Sequence, residues 1–249
     1  ARTRRSRLFS NARATASAAY FYGKEGSLCE CYHSLGWGGT LQDARLIADG
    51  LLLMGIRYLV PHAFFYSTHA LRKHDAPPSF FFQMPFWPLF GELSRRVERI
   101  GGHFEDTHID ARTLVVEPTS GQPSDEDKAA YERLQQVLME EHIDFLMVDT
   151  DILEDGEIGE GEVSIRDVTA DLVIVPPMPQ IEPELSDWLS EFEAAGGRVI
   201  RCEGEADKED LRARIARTAE PSLPIEAESG DARKVQMVTR RGEERVLWF

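Results

Sequence analysis

Apolar residues recur at Leu41, Ala44, Ile47, Ala48, Leu51 and Leu52, the spacing of a helix with one buried face. Thr40 stands where an N-cap belongs and Gly55 where such a helix stops. A short alternating run at 27–32 and an apolar run at 56–65 flank this helix and predict strands, with a Gly-rich loop at 33–39 between the first strand and the helix. Strand, loop, helix and strand in that order make a βαβ unit. Upstream, 8–22 reads as an Ala-rich helix ending in aromatics. Downstream, 66–84 is a long loop, polar and then aromatic, and 86–101 reads as a helix behind Pro85. Loops of that length without structure of their own are often functional.

Past residue 110 the alternation becomes regular. Strands are predicted at 113–118, 144–150, 172–178 and 198–203, and helices at 125–141, 182–195 and 207–218. Ser124 and Asp127 have capping-box spacing, and Gly196–Gly197 closes the second helix. This pattern implies a parallel sheet with helices on its faces. An acidic stretch at 154–162 reads as a solvated loop, followed by a short strand at 163–166. The tail reads as two strands, 233–240 and 244–249, about Arg241–Gly242.

Composition narrows the class. No run of about 18 apolar residues occurs, which excludes a membrane-spanning helix. Three cysteines in 249 residues exclude a disulfide-built scaffold. The net charge is −15, which argues against general nucleic-acid binding. Charge is also uneven: residues 1–100 hold 13 Lys and Arg against 7 Asp and Glu, a net +6, and the rest hold 15 against 36, a net −21. The step suggests two regions with different surfaces. Arginine outnumbers lysine 23 to 5, a bias that together with the acidity points to a salt-adapted protein. The chain starts at Ala1, shows no apolar signal core and stops on Leu247-Trp248-Phe249, which leads us to expect a piece of something longer.

Few residues stand out chemically. Glu30 sits in a strand-like run just before the Gly/Trp loop, where α/β barrels place catalytic groups. A structural salt bridge or an exposed strand end accounts for it equally simply. Trp37 is flanked by glycines and offers either an aromatic wall for a sugar or a loop anchor. His62 ends a strand, placed to hydrogen-bond a substrate hydroxyl or to be a satisfied core histidine. His69, His74 and Asp75 lack a tight metal-ligand spacing, so no metal site is expected. Phe80, Phe81, Phe82, Phe86 and Trp87 form a cluster read mainly as packing. Cys29 and Cys31 read as small buried residues rather than catalytic thiols. No P-loop, GxGxxG or GxSxG motif is present, and 154–162 misses the EF-hand spacing.

The combination SLCECYHSLGWGGTLQDARLIADGLLLMGIRYLVPHAFFYS and RKHDAPPSFFFQMPFWPLF resembles multidomain glycoside hydrolases of the α-L-rhamnosidase type, family 106 and its relatives. The pieces VVEP, LMEEHIDFLMVD, LVIVPPM and FEAAGGRVI resemble the flavodoxin-like domain that follows the barrel in these enzymes and in some β-galactosidases. The resemblance implies the C-terminal part of a (β/α)8 barrel over 1–105, a flavodoxin-like doubly wound domain over 106–222 and the start of a β-rich domain over 223–249. It implies Glu30 as general base or nucleophile, with its acid partner on an earlier strand. It implies Trp37, His62, Tyr66 and Asp75 as substrate-binding residues. It also implies a carbohydrate substrate, no cofactor in this segment, calcium in the full-length enzyme, and an oligomer formed through the flavodoxin-like domain. The alternative is a non-catalytic carbohydrate-binding or assembly module.

Overall fold

The computed structural model describes residues 2–119, 121–202, 208–242 and 246–248. Parts of three expected elements, positions 203, 207, 244–245 and 249, lie outside the described residues.

Helix α1 (Arg2–Phe21) leads into strand β1 (Leu28–Cys31), helix α2 (Leu41–Leu53) and strand β2 (Tyr58–Pro61). The two strands pair in parallel, with Leu28 opposite Tyr58 and Glu30 opposite Val60. Thr40 and Asp43 form the reciprocal capping box that starts α2, a contact of about 1 kcal/mol. The apolar stripe of α2 is buried with Cys31, Tyr32, Met54, Ile56 and Phe80. Leu28, Tyr58 and Val60 remain exposed on the other face of the pair. Most of the loop after β2 has no regular structure, and helix α3 (Phe90–Gly102) follows a 3-10 turn at Trp87–Leu89.

The second half is a parallel sheet covered on both faces. Its elements are β3 (His108–Ile109), β4 (Thr113–Val116), α4 (Asp125–Glu140), β5 (Phe145–Val148), α5 (Thr150–Glu154), β6 (Glu157–Gly159), β7 (Glu162–Ile165), β8 (Val168–Ala170), β9 (Leu172–Val175), α6 (Pro183–Ala194), β10 (Arg198–Arg201) and α7 (Lys208–Ala216). The sheet runs β10-β9-β4-β5, all parallel. Leu114, Val116, Leu146 and Val148 face one cluster with Leu189 and Phe192 of α6. Val115, Phe145 and Met147 face another with Leu134 and Leu138 of α4. Two-sided burial explains why these strands are continuously apolar. On the free edge of β5, Met147 N donates to Ser17 Oγ of α1 at 3.0 Å, so the helix blunts an exposed strand edge.

Two expectations change. The acidic stretch 154–162 is not all loop: it carries β6, which pairs antiparallel with β7, and β7 pairs with β8. Glu160 and Gly161, both at positive φ, form the two-residue turn that a tight hairpin of this hand requires. Ile158 packs inward, which anchors the meander despite its charge. The tail strand expected over 233–240 is confined to β11 (Thr239–Arg241), preceded by a 3-10 turn at Ala232–Lys234. Strand β11 pairs antiparallel with β12 (Val246–Trp248) and with β3, which the sequence pattern did not reveal. The Asp144 carboxylate accepts from Thr239 N at 2.8 Å and so pins the tail to β5.

Candidate active site

The ends of β1 and β2 emerge side by side because the strands are parallel and in register. His62 directly follows β2, and its backbone N–H donates to Cys31 O at 2.8 Å. The imidazole stands edge-on to His33 at 5.1 Å and to Phe65 at 6.2 Å between ring centres. Its Nδ1 is buried and has no hydrogen-bond partner among the described residues.

Trp37 meets the same aromatic ring, edge-on to Phe65 at 6.2 Å, and its indole N–H donates to Lys73 O at 2.6 Å. Gly36 N donates to Pro77 O at 2.8 Å, so the Gly/Trp loop is tied to the long loop after β2 at two points. Gly36 holds a φ of +89°, which favours glycine there. The long loop is folded back on itself. Gln83 Nε2 donates to Phe65 O at 2.7 Å, and Ser79 Oγ donates to Gln83 Oε1 at 2.7 Å. Peptide bonds His62–Ala63 and Pro77–Pro78 are cis.

The structure thus brings Trp37 and His62 together through Phe65. Glu30 lies on the exposed face of β1, opposite Val60 and two residues from the register position that leads to His62. Tyr66 is 90% exposed, and Asp75 is exposed at the end of the 3-10 turn Ala70–His74. Among the described residues, the side chains of Glu30, Tyr66 and Asp75 make no hydrogen bond or ion pair. Phe65 and His33 are the members that sequence reasoning missed. The signal was available in the two aromatics that follow His62 and in the histidine opening the Gly/Trp loop.

The neighbouring groups are not activated for other chemistry. Burial pushes the Cys31 thiol up to about 12 and the Cys29 thiol up as well, which disfavours a nucleophilic thiolate. Phe80 is fully buried beside Tyr32, while Phe82 is exposed, so the aromatic cluster is divided between core and surface. Among the described residues no group of three or more His, Cys, Asp or Glu is placed to hold a metal ion.

These features define a mixed α/β protein with parallel-strand sheets, and its fold is that of a portion of several solved glycoside hydrolases. It is similar to a rhamnosidase from Novosphingobium sp. PP1Y at TM-score 0.55 and 13% identity, over 97% of this chain and 27% of that one. It is similar to β-galactosidases from Bacillus circulans sp. alkalophilus (TM-score 0.55, 15% identity, 78% of this chain and 30% of that one) and from Rahnella sp. R3 (TM-score 0.53, 12% identity, 77% and 30%). The chain therefore spans less than a third of the length of these proteins. No family model matches the sequence, and no curated protein matches it.

Proposed function

We propose that this chain is part of a glycoside hydrolase of the α-L-rhamnosidase type. In this reading 1–105 is the C-terminal part of the catalytic (β/α)8 barrel, 106–222 a flavodoxin-like domain and 223–249 the opening of a β-rich domain. The strand order supports the middle assignment: numbered among themselves the parallel strands run 2-1-3-4, the order of flavodoxin-like sheets.

The observation that carries the catalytic reading is the placement of Glu30 and His62 on adjacent parallel strands joined by a helix, toward their C-terminal ends. That is where (β/α)8 enzymes build their active sites. Glu30 acts there as general base on a water or as nucleophile on the anomeric carbon, against an oxocarbenium-like transition state. Its exposure leaves the carboxylate reachable by a sugar. The Nε2 of His62, the ring nitrogen that is not buried, exchanges a hydrogen bond with a sugar hydroxyl, and Trp37 supplies an apolar face. Tyr66 and Asp75 extend the contact from the long loop. The substrate is a carbohydrate, and the flavodoxin-like domain mediates self-association. The calcium that the resemblance implies finds no fitting ligand group among the described residues, so no step runs through it.

The test is Glu30→Gln in the complete polypeptide, assayed on an aryl glycoside. General acid–base or nucleophilic loss predicts a rate drop of about 100-fold or more with folding unchanged. A near wild-type rate would sink the assignment of Glu30, and no hydrolysis by the native polypeptide would leave a non-catalytic carbohydrate-binding module.

A further inference from the structure

A cleft of about 1020 Å³ opens at the other end of β1 and β2, where their entries meet α1, the segment after α3 and the β3–β11 pair. Gly26, Ser27 and Arg57, which precede the two strands, line it, so roughly 10 Å of strand separates it from Glu30 and roughly 16 Å from His62. The volume lies at the upper end of those that hold small ligands. We propose that this cleft binds a carboxylated sugar, a uronate or a short uronate-bearing oligosaccharide, at a site separate from the Glu30 face. The sugar half of the proposal rests on the glycosidase reading; the anionic half does not.

Charge argues for the anion. In a chain of net charge −15, the cleft is lined by five Lys and Arg against three carboxylates. Two of the cations are committed: Arg57 pairs with Glu105 at 3.0 Å and Arg241 with Asp110 at 2.6 Å. The other three, Lys24, Arg166 and Arg240, form no ion pair among the described residues. Arg240 is oriented by neutral acceptors, Thr107 O at 2.6 Å and Thr107 Oγ1 at 2.9 Å, and lies over the Phe104 ring. Arg166 lies over the Tyr20 ring at 5.2 Å and donates to Phe21 O at 3.5 Å. Three lining carboxylates face these three cations: Asp106, Glu25, which accepts from Tyr58 at 2.8 Å, and Asp167, which accepts from Tyr20 at 3.4 Å, so the excess of positive charge comes from the paired Arg57 and Arg241.

Behind the cleft wall, one turn before Ala16, Arg13 is buried with Nε and Nη1 unpartnered. Burial and the nearby Arg13 charge hold the Arg240 guanidinium down to about 10, against the opposing Asp144 carboxylate. An anion seated at Arg240 offsets that repulsion in a partly desolvated setting, where charge-assisted hydrogen bonds are strong. Tyr20 carries both His108, stacked at 5.3 Å with an interplanar angle of 26°, and Arg166 over its ring, so of the two rings His108 is the one left for a sugar to rest on.

The experiment is titration calorimetry of the whole chain with trigalacturonate, a neutral galactotriose and inorganic phosphate. We expect trigalacturonate to bind with salt-dependent affinity, the neutral trisaccharide to bind at least tenfold more weakly, and phosphate not to compete at equal concentration. Lys24→Glu and Arg166→Gln should each weaken trigalacturonate about tenfold without lowering the melting temperature, while Glu30→Gln should bind it unchanged. No heat with trigalacturonate, equal binding of the neutral sugar, or unaltered binding by both cleft variants would overturn the proposal. Phosphate competing at equal concentration would replace it with a simple inorganic-anion site. Since the readout is binding at a site remote from Glu30, its failure leaves the hydrolase reading standing, whereas failure of that reading removes the ground for a sugar and leaves only the anionic half.

Discussion

Glu117 leaves the end of β4 and turns back against α4, where the Tyr131 hydroxyl donates to its carboxylate. Burial raises its pKa above the ordinary carboxylate range, opposed by the Tyr131 hydrogen bond and reinforced by Asp149. The folded state therefore holds the Glu117 proton more tightly than the unfolded chain does. The corresponding stability is fully present below the unfolded value near 4.5 and is lost as pH rises through the raised folded value. Glu117→Gln removes this titration. In urea melts stepped upward from pH 4.5, the variant should lose less stability over the first steps than the native chain; identical profiles would show that Glu117 is not the titrating group. At this scale the sequence was a poor guide. Nothing in VVEP marks Glu117 as half-buried, because its environment is supplied by Tyr131, fourteen residues on. Glu30 and Trp37 stood out by local context alone. Phe65, which joins Trp37 to His62, did not, since its role depends on two loops folding onto each other.

Elements were far more legible than contacts. Helices α2, α4 and α6 lie within a residue or two of their expected spans, because apolar spacing agreed with a capping box at the start of α2 and α4 and with stop glycines after α2 and α6. The four central strands are also found, each shorter than the apolar run suggested, since the run continues into the turn that leaves the strand. The misses share a cause: β3, β6 and β8 are only two or three residues long, and partners rather than their own sequence define them. Punctuation at the end of α6 has a packing role beyond conformation. A Cβ on Gly197 would lie 2.4 to 2.5 Å from ring atoms of Phe192, which is fully buried and has no room to move. Gly197→Ala should cost about 1–3 kcal/mol, measured as a lower urea midpoint. Gly38, with open space around its Cβ position, is the control: Gly38→Ala should leave the midpoint unchanged within error.

Across the whole molecule the charge step remains the largest feature, and it separates the β1–β2 region from the acidic half that holds the four-stranded parallel sheet. Ion pairs in that half are dense where cations are available: Arg212 meets Glu140 and Glu141, Lys208 meets Glu140 at 2.8 Å, and Arg112 and Arg198 converge on Asp171 at 3.1 and 2.7 Å. With 36 carboxylates against 15 cations beyond residue 100, most acids have no cation to pair with. Exposed pairs contribute little each, about 0–1 kcal/mol, whereas the uncompensated repulsion acts over the whole surface. Salt weakens both terms by shortening the screening length from about 10 Å at 0.1 M to about 3 Å at 1 M. Because like charges outnumber opposite ones, the lost repulsion outweighs the lost attraction, and added salt should stabilise the fold. The melting temperature should be higher in 2 M potassium chloride than in 20 mM buffer. Reversing four exposed acids remote from ion pairs, Glu126, Glu184, Asp187 and Glu191 to Lys, should shrink that difference. A melting temperature equal or lower in molar salt would mean that the paired arginines, rather than net repulsion, set the electrostatic balance of this chain.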